Sequence, residues 1–581
     1  MAHEVDVLVV GAGPVGLTLA IALRRLSLRV RVVDKAPGTN RQPRADVIFP
    51  RAGEALGAIG VGETIRDRSY QMQGANFYAD GRHMGSFKAG RFASEYPRAM
   101  TIEQHDIERL LAEELAELGV DVEWGTEVTD VRGFPDRVEV PMVLPNGVTE
   151  VADAAWVVGC DGNRSTVRRL IGIPFEGRRR ENMQVIQGNV IPSWPLSDRP
   201  GHGYFFLTTR RTVLAFPTPS GGYRIFCVRD DPDPERTEAP TLDELRDLVA
   251  EVAHIPDLKL TLTDPIWLSR TRVADRVAAR LRQGRVLLAG DAAHAWAPIG
   301  GHGMNVGMLG AHNLAWKLAA VHKGEAAEAL LDSYEIEQRA LALRVIRDMR
   351  MNIMEVLLPP LAHRARCAFL RATMSTEGVQ RRTEWMMSDF GRHHRKSPLS
   401  WQPRGRRARR LRAGDRLPDV TVVPTAVRGD GGQATFASNE RPVGLHRLLR
   451  YDRWTLLLDA VHTDAETLRA VEDACSGAPV EIIAVATTDP EARRQLGRAS
   501  EFKLVRPDGY VGLVAPLDRL GTLHEYLDTY LHEGRDRSTG KDRSAAPKGA
   551  RRRDKRLLAT DQRPPEPDAN EKFVTVNGVL E

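Results

Sequence analysis

The sequence has no CxxC pair and no clustered His/Cys spacing of the kind that holds a metal, so no metal is expected. Its four cysteines, Cys160, Cys227, Cys367 and Cys475, stand far apart. They read as reduced, mostly packed thiols of a cytoplasmic protein, which excludes a disulfide framework and dithiol redox chemistry. A long uninterrupted apolar run is also missing. The longest, Val7 to Leu23, is broken by Gly11, Gly13, Pro14 and Gly16 and follows Glu4 and Asp6 rather than a basic segment. That pattern argues against a membrane span and against a secretion signal, and no membrane partner is expected. Basic residues are not interleaved with aromatic ones. Six arginines lie between Arg404 and Arg412, and the tail from Glu533 holds 12 Lys/Arg against 9 Asp/Glu; together they account for the net charge of +5 and leave the rest mildly acidic. No nucleic-acid partner follows from such a distribution. Repeats at solenoid periods are absent as well.

What is present is an ordinary globular composition, 42% apolar and 27% charged, in 581 residues, too many for one core. Val5 to Val10 is a continuous apolar run suited to a buried parallel strand, Leu17 to Leu26 has helical spacing, and Arg29 to Val33 is the next strand, completing a βαβ unit. Asp106 to Leu118 is an amphipathic helix and Val151 to Val158 another strand. From Asn182 to Arg229 alternating strands with a Ser220-Gly221-Gly222 turn suggest an inserted antiparallel sheet. Arg285 to Ala289 returns as a buried strand, and Asn305 to Leu357 is strongly helical. The expected boundaries are 1–180 and 271–395 for a dinucleotide-binding α/β domain, 181–270 for the inserted sheet, 396–412 for an arginine-rich linker, 413–532 for a smaller α/β unit with strands near Trp454–Asp459, Val480–Ala486 and Phe502–Arg506, and 533–581 for a polar, disordered tail.

Three turns carry the chemistry. Gly11, Gly13 and Gly16 form GxGxxG between strand and helix: the first permits a tight turn, the second lets backbone approach a pyrophosphate at the helix N-terminus, which Pro14 opens, and the third allows close packing. Asp34 ends the second strand where a carboxylate can bind a ribose hydroxyl, with Lys35 beside it; such a carboxylate repels a 2′-phosphate, favouring FAD or NAD over NADP as the resident group. With a single such fingerprint, any nicotinamide visits rather than resides. Asp161-Gly162 and Gly290-Asp291 each follow a strand and are compatible with simple Asp/Gly turns. What distinguishes the second is its continuation PIGGHGMN, where Pro298, Gly301, Gly303, Met304 and Asn305 surround glycines that leave N–H groups free at a helix start. That positive end suits a reduced, anionic flavin.

In this order, GAGPVG at Gly11 to Gly16, the DG pair and the GD pair resemble the group A flavoprotein aromatic hydroxylases, most closely the phenol hydroxylase branch. The resemblance covers roughly Val5 to Leu357 and, more weakly, Leu411 to Leu531. It implies an FAD-binding Rossmann-like fold with an inserted sheet for substrate and a C-terminal thioredoxin-like domain marked by LVRPDGYVG, in which the lone Cys475 cannot support redox cycling. It also implies NAD(P)H as co-substrate, O2, an aromatic substrate, a C4a-hydroperoxide and a homo-oligomer. Arg44, Gln104 and Asp291 would contact FAD, and Asp161 the pyrophosphates. Asp46 matches the carboxylate that helps deprotonate a phenol, while Phe226 stands where those enzymes carry the partner tyrosine. Pro298 and Phe226 would line the substrate site. The chain departs from the pattern at Ala297, His302 and Gly310, where a proline, a glutamine and an aspartate are common.

Two other functions share parts of this framework. A flavin halogenase is excluded by the absence of GWxWxIP around all nine tryptophans. An NAD-binding dehydrogenase or another non-oxygenating flavoprotein is compatible with the first turn alone.

Overall fold

The computed structural model describes residues 4–40, 45–196, 201–230, 232–233, 235–236, 238–263, 267–350, 357–403, 411–425 and 441–531. VDVLVV, β-branched at four of six positions, forms the buried strand Val5–Val10. It pairs in parallel with Val30–Asp34 and with Thr149–Gly159, which are flanked in turn by the parallel strands Val122–Trp124 and Val286–Leu288. The carboxyl ends of these strands therefore share one edge, and the turns after Val10, Gly159 and Leu288 all leave from it. Pro14 opens the helix Pro14–Arg25, since its fixed φ suits a first turn whose N–H needs no partner.

A second, nine-stranded sheet runs His294–Ala295, Leu268–Ala278, Phe175–Ser193, Tyr223–Asp230, Arg211–Pro217, His202–Leu207, Gly74–Ala79, Arg82–Lys88, with Lys259–Leu262 added to Phe175–Ser193. Only the contact between His202–Leu207 and Gly74–Ala79 is parallel. Strand alternation gives it two apolar faces. Ile186, Ile225, Cys227, Val213 and Phe206 pack beneath the helix Leu242–Ala253, while Val185, Phe226, Val228, Leu214 and Phe205 share a cluster with Val47, Phe49, Ala297 and Val306. The second cluster ties the sheet to the turn following Gly290-Asp291.

The stretch expected to be strongly helical from Asn305 consists of two helices, His302–His322 and Ala329–Arg350. The break falls at Gly324, whose φ of 73° is a left-handed conformation that glycine adopts without cost. The remainder of that run at 351–356 lies outside the described residues, as do the arginines at 404–410 and the tail from 532. Residues expected as linker are packed where described: Leu399 is fully buried, and Trp401 N donates to Gly512 O at 2.9 Å.

The C-terminal unit is a six-stranded sheet ordered Val443–Gly444, Thr421–Thr425, Val480–Ala486, Trp454–Asp459, Glu501–Val505, Val511–Pro516. It docks on the helix His302–His322, with the Trp454 and Trp316 rings edge to face at 5.5 Å. Buried charges reinforce the contact. Arg506 Nη1 lies 2.6 Å from Glu337 Oε1, Lys317 Nζ lies 2.8 Å from Glu337 Oε2, and Asn313 Nδ2 donates to both Glu337 Oε2 at 2.9 Å and Asp508 Oδ2 at 2.7 Å. A second set joins Arg416 to Glu54, whose Oε2 is also 3.1 Å from Arg51 Nη1. Burial pushes Glu54 and Asp508 up, but Arg416 in one case and Arg506 in the other outweigh it and hold each at about 2.

Glu337→Gln removes the counter-charge of Arg506 and Lys317, and urea unfolding should show a loss on the order of 3–5 kcal/mol. An effect below about 1 kcal/mol, the scale of an exposed pair, would contradict this view of the interface. Because Glu54 and Asp508 are depressed, their stabilisation is complete above the ordinary carboxylate range and is lost as pH falls from there towards 2.

Candidate active site

Each glycine of the first turn answers a different requirement. Gly11 has φ 108°, and a Cβ there would lie 2.5 Å from Cys160 O; a Cβ on Gly16 would lie 1.9 Å from Gly11 O. A Cβ on Gly13 would meet nothing within 4 Å. Packing thus demands the outer two, and the middle one leaves open space beside the helix start. Asp34 stands half-exposed at the tip of its strand, accepting from Ala12 N at 2.7 Å and Ala36 N at 2.8 Å, and Lys35 is exposed next to it. Arg44 lies outside the described residues. Gln104 clamps the chain beside it: Ala45 N donates to its Oε1 at 3.1 Å, Gln104 N donates to Ala45 O at 2.9 Å, and its Nε2 donates to Glu108 Oε1 at 2.7 Å.

The other two turns sit on the same edge. Asp161 Oδ2 accepts from Thr166 N at 2.6 Å and Val167 N at 3.0 Å, while its Oδ1 is buried with no hydrogen-bond partner. Gly162, at φ 80°, again leaves empty space where a Cβ would be. Gly290, at φ 60°, turns the chain so that Asp291 is exposed. Arg168, which the sequence reading did not single out, bridges both turns by donating to Ala292 O at 2.9 Å and Asn163 O at 2.8 Å. Past half-buried Pro298 come two left-handed glycines, Gly300 at φ 77° and Gly301 at φ 70°, then Gly303, beside which a Cβ finds open space, and Met304, packed on the core. Asn305 is fully buried. Its Nδ2 donates to Val47 O at 2.8 Å and Gly301 O at 2.9 Å, and its Oδ1 accepts from Phe49 N at 2.7 Å, so its side chain pins this turn to the strand Val47–Ile48. Open space beside Gly13, Gly162 and Gly303, with the unpartnered Asp161 oxygen, fits a long dinucleotide such as FAD laid along this edge.

Asp46 begins the segment that Asn305 holds. It is 3% exposed, and its Oδ2 has no hydrogen-bond partner. Burial pushes its carboxyl above the usual range, with the Arg224 guanidinium pulling the other way. Arg224 is fully buried, bonded through Nε to Asn189 Oδ1 and stacked 4.2 Å over the Trp267 ring. Asn189 Nδ2 donates to Glu103 Oε1 at 2.8 Å. Phe226 lies two residues from Arg224 on the same strand face, directly across from Gln187, whose Oε1 is also buried and unpartnered. Sequence reasoning missed Arg224, Asn189, Glu103 and Gln187; for Arg224, Asn189 and Gln187 the available signal was a charge and two amides placed in phase with the apolar residues of buried strands, while Glu103 lies just before the helix Gln104–Glu117.

Residues 4–349 match the family model described as FAD binding domain, and residues 412–533 the model described as aromatic-ring hydroxylase, C-terminal. The chain belongs to the FAD-dependent aromatic-ring hydroxylases. The hydroxylase is 32% identical over 569 residues to the 6-methylpretetramide 4-monooxygenase of Streptomyces rimosus, covering 94% of this chain and 98% of that one. It is 31% identical over 523 residues to the dialkyldecalin synthase of Streptomyces rugosporus, covering 88% and 96%. Among solved structures, the ternary complex of aklavinone-11 hydroxylase with FAD and aklavinone is similar with a TM-score of 0.71 at 26% identity, over 91% of this chain and 99% of that one. The hydroxylase is therefore an FAD-dependent, NAD(P)H-consuming aromatic monooxygenase. Among the described residues no helix is long and apolar enough to cross a membrane.

The described residues do hold one His/Cys/Asp group of ligand-like spacing, Asp80, His363 and Cys367. Arg366 Nη2 donates to His363 Nδ1, which leaves the imidazole proton on Nε2, 2.9 Å from Asp80 Oδ2; the ring is used as a hydrogen-bond donor there rather than as a ligand.

The contrast between two glycines tests the cofactor edge. Gly13→Ala should leave the thermal stability of the apoprotein intact while weakening FAD binding about tenfold or more in a fluorescence titration, roughly 1.4 kcal/mol. Gly16→Ala, with its Cβ against backbone, should fail to yield folded protein. Normal FAD affinity in Gly13→Ala would move the pyrophosphate elsewhere.

Proposed function

We propose that the hydroxylase oxygenates a phenolic, fused-ring aromatic substrate held between the second sheet and the glycine-rich turn, with Asp46 as the base that takes the substrate hydroxyl proton. The observation that carries this reading is the buried Asp46 oxygen without a partner, beside Arg224 and an apolar cluster containing Phe226, Phe216, Phe205 and Phe49. The names of the relatives, 6-methylpretetramide 4-monooxygenase and aklavinone-11 hydroxylase, support such a substrate class. Bound FAD, reduced by visiting NAD(P)H and reacting with O2, supplies the oxygen atom. Its proposed contacts are the Gly11–Gly16 turn with Pro14, Asp34 and Lys35 at the adenosine end, Arg44, Gln104, Asp161, Gly290 and Asp291 along its length, and Pro298, Gly301, Gly303, Met304 and Asn305 at the ring.

The chain's own residues then do four things. The apolar wall excludes water, which otherwise wastes the oxygen equivalent as peroxide. Asp46, with a raised affinity for protons, is better matched to a phenol of pKa near ~10 than an exposed carboxylate would be. Arg224 offsets the negative charge that forms on the ring oxygen. Phe226 offers a face rather than a hydroxyl, leaving proton transfer to Asp46. In the same reading the domains follow 1–180 with 271–395 for FAD, 181–270 as the antiparallel insert, and 413–532 as a thioredoxin-like unit without redox function. Burial pushes the Cys475 thiol up to about 12, which supports that last point. A cytoplasmic homo-oligomer completes it.

A second activity beside oxygenation, in which bound FAD serves a turnover without oxygen transfer, draws on the likeness to a relative named a synthase, dialkyldecalin synthase. Incorporation of 18O from O2 into product, coupled to NAD(P)H consumption, separates the two; FAD-dependent turnover with no label and no NAD(P)H oxidation would favour the second.

Asp46→Asn should retain FAD and fold while slowing hydroxylation about 100-fold. In the wild type the rate falls as pH drops through the raised Asp46 pKa, because the base must be ionised. In the variant the deficit should shrink at high pH, where the phenol ionises unaided. Single-turnover rates equal to wild type at every pH would assign Asp46 a purely structural part.

A further inference from the structure

His302 begins the 21-residue helix His302–His322 at the end of the glycine-rich turn. Its Nδ1 lies 3.1 Å from Asp389 Oδ1 and 3.3 Å from Oδ2, and its ring packs on Phe49 with centroids 4.8 Å apart. Phe49 in turn is fixed through its backbone N–H to Asn305, so the imidazole is held between two anchored groups.

Asp389 is the unusual partner. It is 3% exposed and takes φ 60°, a left-handed conformation costly for a non-glycine residue and kept only where surroundings over-determine it. Arg392 Nη2 stands 2.8 Å from Asp389 Oδ1, and Arg392 N donates to Asp389 O at 3.1 Å. Burial pushes the Asp389 carboxyl up, but Arg392 and His302 outweigh it and hold it below the usual range. An ionised Asp389 accepts from Nδ1–H, which leaves Nε2 on the far side of the ring with no hydrogen-bond partner among the described residues.

We propose that His302 contacts bound FAD through Nε2, and that Asp389 and Arg392 are positioning residues whose buried chain to His302 sets how strongly the site prefers reduced over oxidised flavin. The inference rests on FAD occupancy and is independent of the aromatic substrate. Reduction breaks the nicotinamide C–H bond and transfers its hydrogen with both electrons as hydride to the flavin, which becomes an anion while the nicotinamide is oxidised. With a proton on Nε2 as well, the ring is a cationic donor that shares Asp389 with Arg392, and a charge-assisted hydrogen bond from it favours the anionic flavin over the neutral one. A glutamine amide at this place donates without a charge, and Asp389 has no ring through which to act.

The test is the midpoint potential of the bound FAD, read by dye equilibration of the holoenzyme at fixed pH. His302→Gln should lower the preference for reduced over oxidised flavin about tenfold, roughly 30 mV for a two-electron couple. Asp389→Asn should shift it in the same direction, and the double variant no further than His302→Gln alone. A residue with only a structural part would weaken both redox forms equally and leave the potential unchanged. Full FAD occupancy with an unaltered potential in His302→Gln overturns the proposal, as does a double variant whose shift is the sum of the two singles. His302→Gln alone gives a reading even if Asp389 variants do not fold.

Discussion

The helix His302–His322 is the member on which both halves of the molecule depend, and the buried charge set at its middle fixes it. Asn313, Trp316 and Lys317 face Glu337, Arg506 and Asp508, so one helix is bonded to its neighbour Ala329–Arg350 and to the C-terminal unit through groups that have left water entirely. Two cations and two anions balance there, which is why burial is tolerable; removal of any one leaves a charge with no solvent to screen it. Three turns of helix towards the N-terminus, the same rigid rod presents Gly301, Gly303 and Asn305. Through this helix the C-terminal unit buttresses the glycine-rich turn.

The site is assembled from two sheets with different duties. The parallel sheet brings three loops to one edge because its strands run the same way, and Arg168 stitches the last two loops together. The second sheet supplies a wall whose apolar face is interrupted by Arg224, Asn189 and Gln187. Asn305 joins the two by bonding Val47 and Phe49 on one side and Gly301 on the other, so Asp46 and the glycine-rich turn cannot shift independently.

The parallel core was legible in sequence because its signals are local. VDVLVV and the glycines at 11, 13 and 16 specify strand, turn and helix without outside help, and Val5–Val10, Trp454–Asp459 and Val480–Ala486 have the bounds their apolar runs suggest. What was not legible depends on contacts across long stretches of chain. Gly74–Lys88 joins the second sheet by pairing with a strand more than a hundred residues away, and nothing in its own pattern specifies that neighbour. That the Asn305 side chain also bonds the backbone of Val47, Phe49 and Gly301 was not legible either, because two of those partners lie more than 250 residues away. Arg168, Arg224 and Asp389 carried no motif; each is recognisable only once its burial and its partners are known.

Hydrogen exchange of the apoprotein, with and without FAD, tests the central claim that three turns on one sheet edge form a single cofactor cradle anchored by one helix. Backbone amides in 11–16, 161–167 and 290–305 should slow together at one FAD concentration, with the C-terminal sheet unaffected. Protection of the first turn alone, or of a surface away from the ends of Val5–Val10, Thr149–Gly159 and Val286–Leu288, would contradict it.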